Sequence, residues 1–224
     1  MLIASWMTKA PVSVTPSTSL SKCQKLLKAN GFRRLPVVDE ANRVVGIITD
    51  RDVRSASPSK ATSLEVHEMQ YLLAEVKAKD FMTPRPITVK PSDTVSEAAL
   101  LMLRNHFGTL PVVDDEGKLV GIVTEHDIFK VLVTISGAAM PGIEFTIETS
   151  DTPGSLAAVF ALLRTQRARV VSVMTSYRED GSRQVFIRIH KPESLEAEAR
   201  LRAALEGLVR VVEWTERTTP TSMA

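Results

Sequence analysis

Apolar and polar positions along this chain fall into short groups that come in a set order. Pro11-Val12-Ser13-Val14 reads as an extended segment, and Pro16 opens a turn into a helix. Leu20, Cys23, Leu26 and Leu27 lie on one face at helical spacing, and Asn30-Gly31 ends that helix. Two apolar runs of strand length follow, Leu35-Pro36-Val37-Val38 and Val44-Val45-Gly46-Ile47-Ile48, with a polar turn from Asp39 to Arg43 between them. Thr49 then meets a second helix start, so the order is β-α-β-β-α.

The same order returns after 75 residues without a gap. Met7 to Val53 aligns with Met82 to Ile128, and 20 of the 47 positions are identical. Met7-Thr8 recurs as Met82-Thr83, the run from Leu35 to Asp39 as Leu110 to Asp114, and Gly46-Ile47 as Gly121-Ile122. The second copy adds capping-box spacing at Thr94 and Glu97, with Val95, Ala98, Leu101 and Met102 on one helical face. A copy of under about 60 residues buries little core alone. Two copies with the same polar residues at the same offsets therefore predict two facing halves of one pseudo-symmetric module. Between them a polar stretch from Ser55 to Ser63 leads into a helical segment with Leu64, Met69, Tyr71, Leu72 and Val76. That segment reads as a linker helix packed on the module, or as a partner-binding helix.

From Gly142 the pattern changes. Ile143 to Glu148 alternates as a strand, Asp151-Thr152-Pro153-Gly154-Ser155 is a turn, and Leu156, Val159, Phe160 and Leu163 build a helix. Val170 to Tyr177 and Gln184 to Ile189 read as strands joined by a hairpin at Asp180-Gly181. Leu195, Leu201, Leu205 and Leu208 mark a second helix, and Val209 to Trp214 a last strand. The order β-α-β-β-α-β is that of a ferredoxin-like fold. The fold class is thus α+β, with expected boundaries of 1–62 for the first repeat, 63–79 for the linker helix, 80–138 for the second repeat, 141–216 for the C-terminal domain and 217–224 for a tail.

Composition narrows the function classes. Lys and Arg number 28 against 26 Asp and Glu, without the clustered positive charge that nucleic-acid backbones attract. Cys23 is the single cysteine, so no internal disulfide can form, and its place on an apolar helix face favours a buried small hydrophobe over a reactive thiol. Met1 to Trp6 lacks a charged leader before an apolar core, and the run from Val131 to Ile143 is short and broken by Gly137, Pro141 and Gly142. A cytoplasmic protein that neither enters a membrane nor binds nucleic acid is expected. His67, His106, His126 and His190 are scattered without metal-ligand spacing, and no Walker loop or dinucleotide glycine fingerprint occurs. No metal, no required cofactor and no catalytic residues are expected, and the chain reads as a non-enzyme.

The candidate chemistry lies in Gly46-Ile47-Ile48-Thr49-Asp50-Arg51-Asp52 and its twin Gly121-Ile122-Val123-Thr124-Glu125-His126-Asp127. Glycine admits a ligand close to the backbone, threonine offers a hydroxyl at a helix start, and an ionised carboxylate can accept hydrogen bonds from adjacent hydroxyls, as on a ribose. The alternative is a helix cap plus an acid favoured by the helix dipole. Recurrence in both copies favours the ligand reading.

At these residues the two repeats resemble a tandem pair of CBS domains (a Bateman module), through Met-Thr and a following proline, Leu-Pro-Val-Val-Asp, and Gly-hydrophobic-hydrophobic-Thr-x-x-Asp, each present twice. The resemblance implies a cleft that binds AMP, ADP, ATP or S-adenosylmethionine. It would place Asp52, Asp127, Thr49 and Thr124 at the ribose. Backbone and apolar atoms around adenine would come from Val12, Val14, Leu35, Pro36 and Val37, and from Ile87, Val89, Leu110, Pro111 and Val112. Arg33 and Arg34 match phosphate-contacting positions, and Arg51 and His126, in the variable positions of the motifs, are expected to face the phosphates as well. Gly108 and Thr109 replace the basic pair in the second copy, a departure that bears on equal occupancy. Guanidinium groups favour phosphates over a cationic sulfonium, and a solvated loop pair is the other reading of Arg33 and Arg34.

The C-terminal part resembles an ACT domain through the turn from Asp151 to Leu156. This implies an amino-acid or other small effector at Asp151, Pro153, Gly154, Ser155 and Leu156, or a purely dimerising role. The whole arrangement, with Arg54 to Ser59 and Glu68 to Val76, resembles the acetoin-utilisation AcuB family. It implies a regulatory homodimer (a tetramer being open) with a possible protein target, in the setting of acetoin catabolism. The rival is a scaffold that acts through a partner.

Overall fold

This computed structural model describes residues 1–57, 73–179 and 181–217. The proposed linker residues Leu64, Met69, Tyr71 and Leu72, Asp180 of the hairpin, and the last seven residues lie outside them. The chain divides into two compact units, Met1–Phe129 and Lys130–Ala224.

In the first unit β1 (Thr8–Lys9) precedes α1 (Leu20–Asn30), β2 (Arg34–Val38), β3 (Val44–Thr49) and α2 (Asp50–Ala56). After a short α3 (Ala78–Phe81) the second repeat runs through β4 (Thr83–Pro84), α4 (Val95–Asn105), β5 (Thr109–Val113), β6 (Leu119–Thr124) and α5 (Glu125–Ser136). Helices α1 and α4 both end on a left-handed residue, Gly31 at φ 65° and His106 at φ 56°. Each hairpin turn is held by an aspartate: Asp39 Oδ1 accepts from the amides of Ala41 and Arg43, and Asp114 Oδ1 from those of Glu116 and Lys118.

The two repeats exchange their leading strands. One sheet has the order β2-β3-β4 and the other β1-β6-β5, so each hairpin is extended by the first strand of the opposite repeat. Thr8 pairs with Ile122 and Lys9 with Gly121, while Thr83 pairs with Ile47 and Pro84 with Gly46. The segments before those strands cross over too. Ile3 is buried with Val89, Ala98, Leu110, Val112 and Val123 of the second repeat, and Ala78 with Leu20, Cys23, Leu35 and Ile48 of the first. The proline-led segments expected as strands join their hairpins by single parallel bridges, Val14 to Val37 and Val89 to Val112. Burial raises the Cys23 thiol to about 11, as expected for a small core hydrophobe and not for a nucleophile.

The second unit holds β7 (Gly142–Thr149), α6 (Ala157–Thr165), β8 (Val170–Tyr177), β9 (Arg183–Ile189), α7 (Leu195–Glu206) and β10 (Arg210–Arg217). Its four strands form an antiparallel sheet in the order β10-β7-β9-β8, the ferredoxin-like arrangement. Alternate residues Ile143, Phe145 and Ile147, with Val185, Ile187 and Ile189, face Val159, Leu163, Leu201 and Leu205 of the helices. Trp214 stacks on Phe145 with centroids 5.2 Å apart and donates from Nε1 to Glu198. Phe160, Leu195 and Leu208, read from spacing as helix-face residues, are exposed. They fall at the edge or beyond the end of the helical stripe, where the sheet no longer covers them. On the opposite face Arg188 is buried, donating to Glu144 at 2.7 Å and to the Met140 carbonyl at 3.4 Å.

Candidate functional site

The two Thr-x-x-Asp sequences are built alike. Thr49 is the N-cap of α2: its hydroxyl accepts from the Asp52 amide at 3.2 Å, while Asp52 Oδ2 accepts from the Thr49 amide at 2.7 Å and its hydroxyl at 2.8 Å. Thr124 and Asp127 repeat this at 3.4, 2.9 and 2.7 Å. Both carboxylates are therefore caps, as the alternative reading has it. The cap also orients each carboxylate, since two bonds to Oδ2 fix the group. Asp127 is buried and Asp52 half-buried.

Strand register sets what lies beside each cap. Arg34 stands opposite Thr49, and the equivalent Thr109 opposite Thr124. Arg34 crosses to the other repeat, where Nη1 donates to Thr109 Oγ1 at 2.7 Å. Desolvation lowers the Arg34 pKa, with the carboxylates of Glu125 and Asp52 acting against that shift. Thus Arg34 sits between the two caps and belongs in part to both. Arg33, Arg51 and His126 are exposed. In the second repeat the Glu125 side chain lies over Gly108, so that a Cβ there would come within 2.5 and 2.6 Å of its carboxylate oxygens.

Gly46 and Gly121 do not serve the expected close approach of a ligand. A Cβ on Gly121 would stand 2.5 Å from Met7 Sδ and 3.1 Å from the Thr8 carbonyl oxygen. One on Gly46 would run into the Met82 side chain, with Cγ at 3.0 Å. The glycines make room for the methionine that precedes each exchanged strand, which accounts for the Met-Thr and Gly motifs together as a reciprocal packing device.

The segments expected around adenine do meet within each repeat: the Val14 amide donates to the Pro36 carbonyl at 3.0 Å, and the Val89 amide to the Pro111 carbonyl at 3.1 Å. Their side chains divide, however. Val14, Leu35, Val37, Val89, Leu110 and Val112 are committed to the two cores, and Pro36 and Pro111 are buried. These six apolar side chains cannot also wall a cleft, so what the segments offer is backbone, together with Val12 and Ile87, which are 40% and 43% exposed.

In the second unit the turn before α6 is shaped by Gly154 at φ 80° and by bonds from the Ser155 amide to the Thr152 carbonyl and from the Ala157 amide to the Gly154 carbonyl. Leu156 caps the helix with no side-chain bond. Arg183, at the start of β9, donates to Ser155 Oγ at 2.6 Å and to Asp151 Oδ1 at 3.3 Å. Asp151, Pro153, Gly154, Ser155 and Leu156 line an open concavity together with Arg183, whose Nε is buried without a hydrogen-bond partner.

The CBS-domain family model matches residues 3–59 and 78–134. The chain belongs to the CBS-domain family. A TTHA0829-like ACT domain matches residues 141–213. A CBS domain-containing protein of Dictyostelium discoideum is 36% identical over 135 residues, which cover 60% of this chain and 93% of that protein. The crystal structure of CBSX2 in complex with AMP superposes with a TM-score of 0.51 at 31% identity, covering 60% of this chain and 98% of that one. CBSX2 is an Arabidopsis thaliana protein. A putative acetoin utilization protein (AcuB) from Vibrio cholerae has a TM-score of 0.52 at 24% identity, over 63% of this chain and 98% of that one, a likeness of fold. The expected CBS pair followed by a ferredoxin-like ACT domain is what the chain contains.

Three residues of these CBS and ACT sites escaped the sequence reading. Glu125 stood in a variable position of its motif, and only its pairing with the small Gly108 could have marked it. Thr109 was seen as a missing arginine and not as the acceptor for Arg34. Arg183 follows a hairpin and reads as an ordinary strand residue; its partners lie 28 and 32 positions earlier. Among the described residues no group of His, Cys, Asp and Glu could hold a metal ion, and no helix is long and apolar enough to cross a membrane.

Proposed function

We propose that this is a non-catalytic regulatory protein that binds an adenine nucleotide (AMP, ADP or ATP) between its CBS repeats. The observation that carries this reading is the pair of oriented carboxylates, Asp52 and Asp127, each beside a threonine hydroxyl at a strand end. The likeness to CBSX2, crystallised with AMP, supports it. Asp52 and Asp127 would receive ribose hydroxyls, with Thr49 and Thr124 beside them. Arg33, Arg34, Arg51 and His126 would supply the phosphate contacts. The backbone of 12–14 and 35–37, and of 87–89 and 110–112, would border the base.

The ACT domain either holds a small carboxylate-bearing metabolite at Asp151 to Leu156 or joins two chains as a homodimer in the cytoplasm. A place in acetoin utilization fits the AcuB-like fold. Regulation follows if the nucleotide binds two arrangements of the protein with different affinity, since only differential binding shifts an equilibrium.

Calorimetric titration of nucleotide-free protein with AMP, ATP and S-adenosylmethionine tests this. Saturable heat is expected with the nucleotides, and Asp52→Ala or Asp127→Ala should each weaken, by about 1.5–3 kcal/mol, the adenosyl ligand held by its own repeat, the scale of a charged hydrogen-bonded contact. Unchanged affinity in both variants would leave the carboxylates as caps alone. No heat with any of the three would favour a scaffold that works through a protein partner.

A further inference from the structure

The two CBS clefts differ most at the position where a 5′-phosphate would lie. In the first repeat the residue that follows the helix cap, Asp50, is drawn away by Arg54 one turn on, at 2.8 Å. That leaves Arg33 as the basic residue beside Thr49 that belongs to this repeat alone, since the Arg34 side chain crosses to Thr109. In the second repeat Phe129 stands where Arg54 does, and the residue equivalent to Asp50 is Glu125. Its longer side chain folds back over Gly108, the position equivalent to Arg33. A cation in one cleft is thus replaced by an anion in the other, at the same point of the same backbone.

We infer that the clefts take different classes of adenosyl ligand: a 5′-phosphorylated one beside Arg33, Thr49 and Asp52, and one without a phosphate beside Gly108, Thr124 and Asp127, with Glu125 as the excluding residue. This rests on the adenosyl-ligand reading of the CBS pair. The ribose contacts are common to both clefts, so an uncharged nucleoside meets no barrier in either. A phosphate in the second cleft would face the Glu125 carboxylate at close range. At an effective dielectric constant of about 20 that repulsion exceeds the roughly 1.4 kcal/mol that separates tenfold steps in affinity. Arg34 lies between the clefts and offsets part of this, but it is one charge shared by two sites.

The test is calorimetric titration of the full chain with AMP and separately with adenosine, in the native protein and in Glu125→Gln. Native protein should bind one AMP but two adenosines per chain. Glu125→Gln should admit a second AMP, with a gain in affinity at that cleft of roughly tenfold or more, and should still bind two adenosines, which reports that the site remains folded. Two AMP molecules of similar affinity in the native chain would overturn the inference, and so would a second cleft closed to adenosine. A variant that still takes a single AMP would remove Glu125 as the excluding residue. If native protein binds neither AMP nor adenosine, the adenosyl reading itself falls and this inference with it.

Discussion

The two CBS repeats keep one backbone and diverge in the charges beside their helix caps. Many positions that hold the fold match: Leu35 with Leu110, Val37 with Val112, Gly46 with Gly121, and the capping Thr49 and Asp52 with Thr124 and Asp127. The charged positions beside those caps differ, Arg33-Arg34 standing against Gly108-Thr109 and Asp50 against Glu125. The difference separates two kinds of constraint. Strand exchange needs a glycine under a methionine in both halves, because each half lends its leading strand to the other. Nothing in that geometry requires the residues beside the two caps to carry the same charge.

If the repeats are equivalent as scaffolds, matched core truncations should cost the same. Leu35 and Leu110 are both fully buried, each in its own cluster. Leu35→Ala and Leu110→Ala should each lose about 2–5 kcal/mol in denaturant unfolding, as large-to-small core changes do. Values that differ by more than the scatter of a two-state fit would break the equivalence, and would assign more of the stability to one half.

The glycines should show a finer asymmetry. At Gly46 the three atoms nearest to an added methyl all belong to the Met82 side chain, whose flexible end can swing aside. At Gly121 it also meets the Thr8 carbonyl oxygen at 3.1 Å, and backbone yields less readily. Both Gly→Ala changes should destabilise, in the range of about 1–3 kcal/mol for overpacking, with Gly121→Ala the worse. Urea midpoints of the two variants decide it. A harmless pair would mean that the methionines are not locked under the exchanged strands.

How far such pairings could be foreseen depends on sequence separation. The helix faces, the paired hairpins and the ferredoxin-like order follow from local apolar spacing and from turn residues, so they are visible in the chain. The strand exchange is not, because Thr8 and Ile122 carry no mark that they are neighbours. The repeat itself misleads here, since two self-contained halves and two interlocked halves have the same periodicity. The site was visible to the same extent. Thr49, Asp52 and their twins stand out by recurrence. Val14, Leu35 and Val37 stand out for the opposite reason, being core residues whose side chains a cleft cannot also use. Glu125 and Arg183 emerge only once partners distant along the chain or opposite in the fold are in place.

The smallest difference lies at the starts of the equivalent helices α1 and α4. Thr94 closes a full capping box: its hydroxyl accepts from the Glu97 amide at 3.1 Å, and Glu97 Oε2 accepts from the Thr94 amide and hydroxyl at 2.8 Å each. The same contacts hold the Glu97 carboxyl below its ordinary pKa. Ser19 has Lys22 at the corresponding place, so no carboxylate closes a box: its hydroxyl accepts from the Lys22 amide at 3.4 Å and shares a hydrogen bond with Ser21 Oγ at 3.2 Å. Removing a cap costs about 0.5–2 kcal/mol, typically about 1, and a reciprocal box loses more bonds than a single cap. Thr94→Ala should therefore cost about 1 kcal/mol and Ser19→Ala about half of that. Lowering the pH should erase the difference: a carboxylate whose folded pKa is depressed contributes stability above its unfolded value and loses it as pH falls through the folded one. The gap between the two variants, measured at neutral pH and again in acid, should close. A gap that persists once Glu97 is protonated would mean that the hydroxyl alone, and not the reciprocal box, sets the second repeat apart.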